Sequence, residues 1–242
     1  MTLDNDPQAP RVLLTLNTLS PQTARSIAQI DAHWMFFEAT STLTPADFIT
    51  ARLGTLPQHL SVQGAKCNCG HLFINPQDDI DHALKCDMAS HITHTVRHNM
   101  VRDAIVGVTR AYGITTSKEP TAFTYADGRK HRPDILCHTA PYALVTDVSL
   151  IADEYSLEEA EAKKQKAHTD PCAKLHAIFV PFVMHTKGTL GTKAERFIKD
   201  LMKAIPPCQT NSFNRDIHHA VATAAARGRS QTIQAVAARI RW

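Results

Sequence analysis

The sequence predicts an α/β protein, and three observations carry that reading. Between residues 91 and 205, segments with a helical apolar period alternate with short β-branched or apolar runs set off by turn chemistry, in the order helix, three strands, helix, strand, helix. A chain of 242 residues, 43% hydrophobic, can build one large or two small globular domains. Three of its six cysteines, Cys67, Cys69 and Cys86, gather in one His-rich stretch, which suits a metal-stabilised module better than a disulfide framework.

Residues 1–10 are polar and carry prolines, and the apolar run at 11–19 reads as a strand. Ser20-Pro21 and Thr44-Pro45 each supply an N-cap and a first-turn proline, predicting helices over 22–37 and 46–53. The stretch from Cys67 to Asn99 is polar and broken at Asn75-Pro76, until Val96, Met100, Ile105 and Val108 set a helical period. A helix is therefore expected over about 91–112, with Gly113 in the C-cap position. Strands follow at 115–124, 132–136 and 144–151, the first two separated by the turn Ala126-Asp127-Gly128. Residues 155–168 are rich in helix formers, 176–186 form an apolar strand-like run, and 190–205 return to helical spacing. The tail, 215–242, reads as a helical pair broken at Gly228 and bearing Arg227, Arg229, Arg239 and Arg241.

With 26 Lys+Arg against 23 Asp+Glu, the net charge of +3 excludes a strongly basic coat protein, and the composition excludes a disordered or collagen-like chain. No stretch approaches the ~20 apolar residues that a bilayer span needs, and residues 1–30 lack the pattern of a secretory signal. The expected setting is soluble and intracellular. The 14 histidines stand out, since imidazole is both a metal ligand and a base near neutral pH.

Cys67-x-Cys69, twelve residues, then His82-x-x-x-Cys86 gives four sulfur and nitrogen donors in two short pairs, the second on one helical face. Zn²⁺ is held tetrahedrally by such sets, and four protein donors make the site structural, with no open position for chemistry. His71, His91 and His94 compete with His82 as the third donor. Cys137, Cys172 and Cys208 have no partner at ligand spacing and are expected to be buried as small apolar residues.

Asp134 opens one apolar strand and Asp147 sits inside the next. A carboxylate there is costly unless paired or metal-bound. Two carboxylates on neighbouring strands make a hard-cation site suited to Mg²⁺, with an Asp salt-bridged to one of the local lysines or arginines as the alternative. Lys164 and His168, four apart on the following helix, share a face that could point at a phosphate, whereas Lys163 and Lys166 read first as a solvated face. Arg129, Lys130, His131 and Arg132, with the 163–166 lysines and the tail arginines, are candidate phosphate contacts.

Taken together, Cys67-x-Cys69-Gly70, His82-x-x-x-Cys86, Arg97-His98-Asn99, Glu119-Pro120, Arg132-Pro133-Asp134, Thr146-Asp147-Val148 and Lys164 resemble the C-terminal part of non-LTR retrotransposon reverse transcriptase proteins. There a Cys-Cys-His-Cys zinc knuckle precedes a restriction-like endonuclease of the PD-(D/E)XK superfamily. Phe179-Val180-Pro181 and the run from Thr186 to Gly191 extend the likeness to about residues 48–205. The resemblance implies a mixed sheet flanked by helices, with Asp134 and Asp147 on the catalytic Mg²⁺ or Mn²⁺ and a structural Zn²⁺ on Cys67, Cys69, His82 and Cys86. The lysine expected two residues after the second acid is Ser149 here. Lys164 matches the displaced lysine of the retrotransposon branch, with His168 in place of its tyrosine and Lys163 or Lys166 as alternatives. Arg97, His98 and Glu119 match further positions, or else cap and brace the core.

The implied organisation is an N-terminal helical region (1–66), a zinc module (67–90), an endonuclease domain (91–210) and a basic helical tail (211–242). The implied activity is metal-assisted hydrolysis of phosphodiester bonds, nicking target DNA in the nucleus, with element RNA as a possible further partner. A zinc-stabilised nucleic-acid-binding module without catalysis is the alternative. The 242 residues offer neither the length nor the acidic motifs of a polymerase.

Overall fold

The computed structural model describes residues 64, 66, 67, 69–72, 82, 84–124, 128, 130–186 and 188–237. The strand expected at 11–19 and the helices expected at 22–37 and 46–53 lie outside them. The chain divides into two compact units, Met1–Thr93 with Arg229–Trp242, and His94–Gly228.

Helix α1, Asp87–Ala111, ends where the sequence places its stop: Gly113 has φ of 82°, and the Ile114 N–H reaches back to the Thr109 carbonyl at 2.9 Å. Then come β1 (Thr115–Lys118), β2 (Phe123–Thr124), β3 (Lys130–His131), β4 (Ile135–His138), β5 (Ala143–Thr146) and β6 (Val148–Ile151). Helix α2, Leu157–Ala173, starts at a Ser156 cap that accepts the Glu159 N–H, with Glu158 and Glu159 in the first turn. Strands β7 (Ala177–Phe179) and β8 (Phe182–His185), then helices α3 (Thr192–Met202) and α4 (Thr210–Ala237), complete the order.

The main sheet runs β1-β4-β5-β7, with β1, β4 and β5 antiparallel and β7 parallel to β5 across the α2 connection. Strands β6 and β8 pair in parallel as a second sheet, and β2 with β3 as a third. One large core packs Val101 and Ile105 of α1, Phe197 and Ile198 of α3, and Phe213 and Ile217 of α4 against Ile135, Cys137, Leu144 and Phe182. The opposite face of the sheet is covered by α2, where Cys172 meets Val145, Phe179 and Phe123. The result is a layered α/β unit, as the order of elements requires.

The sequence-level elements differ from the structure at instructive points. The strand expected at 144–151 is interrupted at Asp147, and the one expected at 176–186 at Val180-Pro181. Register is kept across both breaks, since Val145 pairs with Phe179 and Val148 with Phe182, which sets Asp147 opposite Pro181. The Val180 and Phe182 N–H groups bond the Val145 and Asp147 carbonyls, so residue 181 faces away from that ladder and a proline fits there. The run expected as one strand at 115–124 is cut at Glu119-Pro120, where Glu119 has φ of 45°. The tail is not broken at Gly228: α4 runs through it, because a side chain there would come within 3.1 Å of the Arg97 Cα, and glycine allows this close approach. Cys137 and Cys172 are buried as expected, whereas Cys208 is exposed, in a 3₁₀ turn at Pro207–Gln209.

Candidate functional site

Two groups of side chains carry chemistry, one in each unit. In the first, the sulfurs of Cys67, Cys69 and Cys86 and a ring nitrogen of His82 all lie within 4.8 Å of one another. Cys67 and Cys86 Sγ stand 3.6 Å apart, and Cys69 Sγ lies 3.4 Å from His82 Nε2. A zinc tetrahedron with Zn–S bonds of about 2.3 Å has sulfur–sulfur edges of about 3.8 Å, so the donor set fits Zn²⁺. The local backbone builds it. Gly70, with φ of 98°, lets the chain turn so that its N–H bonds the Cys67 carbonyl, and the Cys67 N–H bonds the His71 carbonyl. A helical 2.8 Å bond from the Cys86 N–H to the His82 carbonyl aligns the second pair. Of the competing histidines, His71 stacks on the His82 ring at 3.9 Å, and His82 is the third donor of the set. Burial pushes the Cys67 thiol up to about 11; burial also opposes ionisation of Cys69, but hydrogen bonds from the His71 backbone and the neighbouring thiols outweigh it and lower that thiol.

The second group forms at the end of β4 and the break between β5 and β6. Ile135 faces Thr146 in the antiparallel register, so one step further Asp134 faces Asp147. Asp134 Oδ2 accepts the His98 Nε2–H at 2.8 Å and the Val148 N–H at 2.6 Å. Lys164 Nζ donates to Asp147 Oδ2, and His168 Nε2 lies 3.6 Å from the same oxygen. Helix α2 is held over the acids by Gln165, whose amide donates to the Phe179 carbonyl at 3.2 Å, and by the His168 ring against Phe179.

The electrostatics divide the two acids. Burial works to raise Asp134, but the hydrogen bond from His98, the contact with Asp147 and the Val148 N–H outweigh it and hold the carboxyl below its usual range. For Asp147, burial and then the charge of Asp134 prevail over Lys164 and push the carboxyl up to about 6. His98 is raised by its bond to Asp134, against the effect of burial. Two facing carboxylates are hard oxygen donors of the kind a divalent cation takes, and here His98 on Asp134 and Lys164 on Asp147 occupy the positions for which a cation would compete.

The other expected residues are placed differently. Arg97 is buried on α1 against Gly228. Glu119 turns its carboxylate to Arg102, at 2.5 Å, and towards Arg132, at 3.8 Å, while its backbone N–H bonds the Asp134 carbonyl at 2.9 Å. Lys163 and Lys166 are exposed. Arg129 lies outside the described residues, as do the side chains of Lys130 and His131. Sequence reasoning missed the Val148 amide, which leaves no residue-level trace, and Arg102, which the i,i+5 offset from Arg97 places on another part of the helix. Among the described residues no helix is long and apolar enough to cross a membrane.

No protein-family model matches this chain, and no curated protein matches it either.

Proposed function

We propose that this chain is a divalent-metal-dependent endonuclease that hydrolyses phosphodiester bonds in DNA, of the restriction-like type seen in non-LTR retrotransposons. The observation that supports this reading is the facing pair Asp134 and Asp147, with Lys164 and His168 of α2 gathered on the second acid. Asp134 and Asp147 would hold the cation, which when bound offsets phosphate charge and makes a water more acidic. Lys164 supplies a positive charge at the same place, available to a phosphate oxygen once a cation takes over Asp147. His98 fixes the orientation of Asp134, and His168 brings a second nitrogen within reach of the reacting groups. The zinc module has no open coordination position in this reading and serves the fold. DNA is then the substrate, element RNA a further partner, and the nucleus the place of action.

The test is nicking of supercoiled plasmid in Mg²⁺ or Mn²⁺ by zinc-loaded wild type, Asp134→Ala and Asp147→Ala. Metal-dependent nicking lost in both variants supports the nuclease. A folded, zinc-loaded wild type that binds DNA and never nicks it overturns catalysis and leaves a nucleic-acid-binding module.

A further inference from the structure

The last rung between β4 and β5 pairs Ile135 with Thr146, so Asp134 lies one residue beyond that ladder and needs other contacts to fix its main chain. Glu119 supplies one: its N–H bonds the Asp134 carbonyl at 2.9 Å, continuing the β1–β4 register past Lys118 and Ile135. It does so from a costly conformation. Glu119 has φ of 45°, the left-handed region that side-chain-bearing residues rarely enter, and it precedes Pro120, a position that ordinarily takes extended backbone. Such a residue persists only where its surroundings hold it, and here the carboxylate is held on two sides. One oxygen takes a 2.5 Å bond from Arg102 Nη1, and the other lies 3.8 Å from Nη1 of Arg132, two residues before Asp134. Arg102 is buried and is anchored in turn by Asp103, which accepts its Nε–H at 3.0 Å. On α1, Arg102 stands four residues after His98, one helical turn along the same face. A single helix therefore grips Asp134 at both ends, its carboxylate through His98 and its carbonyl through Arg102 and Glu119.

We propose that Arg102 is a positioning residue for the acid pair, acting through Glu119 to set the main chain of Asp134 opposite Asp147. The inference rests on the reading of that pair as the cation site of the nuclease. Arg102 need not touch cation or DNA. What it sets is the place of a ligand, and a divalent cation is sensitive to that place because both carboxylates must reach it together. An ion pair that only braced the fold would change the unfolding midpoint and leave cation affinity as it is.

The experiment is a calorimetric titration of the zinc-loaded full chain with Mn²⁺, followed by single-turnover nicking of supercoiled plasmid at saturating Mn²⁺. It compares wild type, Arg102→Gln, Glu119→Gln and the double variant, with Lys203→Gln, which breaks the 2.6 Å pair with Asp200, as the control for an ion pair lost elsewhere. Arg102→Gln and Glu119→Gln are each expected to bind Mn²⁺ about tenfold more weakly and to nick about tenfold more slowly, with the dependence on DNA concentration unchanged. The double variant should be no worse than the more affected single one, because both changes act along one path. Lys203→Gln should match wild type in both readouts. Where the buried Arg102→Gln fails to fold, the half-buried Glu119→Gln decides together with Arg102→Lys, whose single ammonium cannot hold Asp103 and Glu119 as the guanidinium does and should give an intermediate affinity. Wild-type Mn²⁺ affinity in the folded Arg102 and Glu119 variants overturns the positioning role and leaves the nuclease standing, and effects that simply add overturn the path through Glu119. A wild type that takes up Mn²⁺ and never nicks DNA removes the nuclease, while the affinities still decide the role of Arg102. One that takes up no Mn²⁺ overturns both.

Discussion

His98 Nε2 stands 2.8 Å from Asp134 Oδ2, although the two residues are 36 positions apart, and the Val148 N–H meets the same oxygen from the start of β6. Asp134 is thus oriented by two donors from separate elements. Asp147, opposite it, is held by the Lys164 ammonium.

Among the three lysines of α2, only Lys164 is bonded to an acid of the pair, while Lys163 and Lys166 are exposed. Lys164→Ala is expected to slow plasmid nicking by about a hundredfold or more, and Lys163→Ala and Lys166→Ala by little. Single-turnover rates in Mg²⁺ decide this. A large loss in either exposed variant with none at Lys164 would reassign the lysine.

Asp147 has its carboxyl pushed up to about 6, by burial and then by Asp134. The folded metal-free protein therefore keeps this proton over a range in which the unfolded chain has already released it. Its contribution to stability is full below about pH 4 and declines as pH rises through about 6. At pH 7 the ionised group costs at most about 3 kcal/mol. Asp147→Asn should accordingly raise the melting temperature of metal-free protein by a few degrees at pH 7 and hardly at all at pH 4. Added Mn²⁺ should stabilise the wild type and not the variant. Calorimetric melts at the two pH values check both statements, and a variant less stable than wild type at pH 7 would contradict them.

The thiol and imidazole cluster predicts one zinc per chain. Because ligands must shed protons, and burial pushes the Cys67 thiol up to about 11 in the metal-free cluster, zinc uptake should release protons and weaken steeply on acidification. Cys86→Ser and His82→Ala should each reduce the bound metal to a small fraction, whereas His71→Ala should retain it. Zinc assay by a colorimetric chelator separates these cases, and full zinc in His82→Ala would place the third donor elsewhere.

Helix α3 begins at Gly191, which has no side chain to cap it, and the buried Glu161 of α2 accepts the Lys193 N–H at 2.7 Å in its stead. A Cβ on Gly191 would overlap that carboxylate. Glu161→Ala and Gly191→Ala should each cost about 1–2 kcal/mol. The double variant should cost less than their sum, because both remove the same cap. Urea unfolding of the four proteins measures it, and strict additivity would show that the two residues act independently.

The order of elements over residues 94–205 was legible because periodicity, caps and turns are local. The helix formers of 155–168 fall in α2, and Gly113 ends α1. The four members of the Cys/His cluster were legible for the same reason, since each pair is set by a short turn or one turn of helix. Glu119 and Arg97 could be read either as site residues or as braces of the core; Glu119 is bound to Arg102, with its N–H on the Asp134 carbonyl, and Arg97 is packed against Gly228. Those placements depend on which helix meets which loop, and a motif position does not carry that information.

By itself, the sequence determined the kinds of element, the chemistry of the donors and the two acids, because residue type and spacing along one strand or helix suffice for these. Only the tertiary structure decided that Asp134 faces Asp147, that Val148 and His98 hold the first while Lys164 holds the second, and that Glu161 caps a helix from another element. Each depends on strand register or helix docking. These are set by the summed burial of Ile135, Phe182, Phe197 and the rest of the core, and no single residue on either side records them.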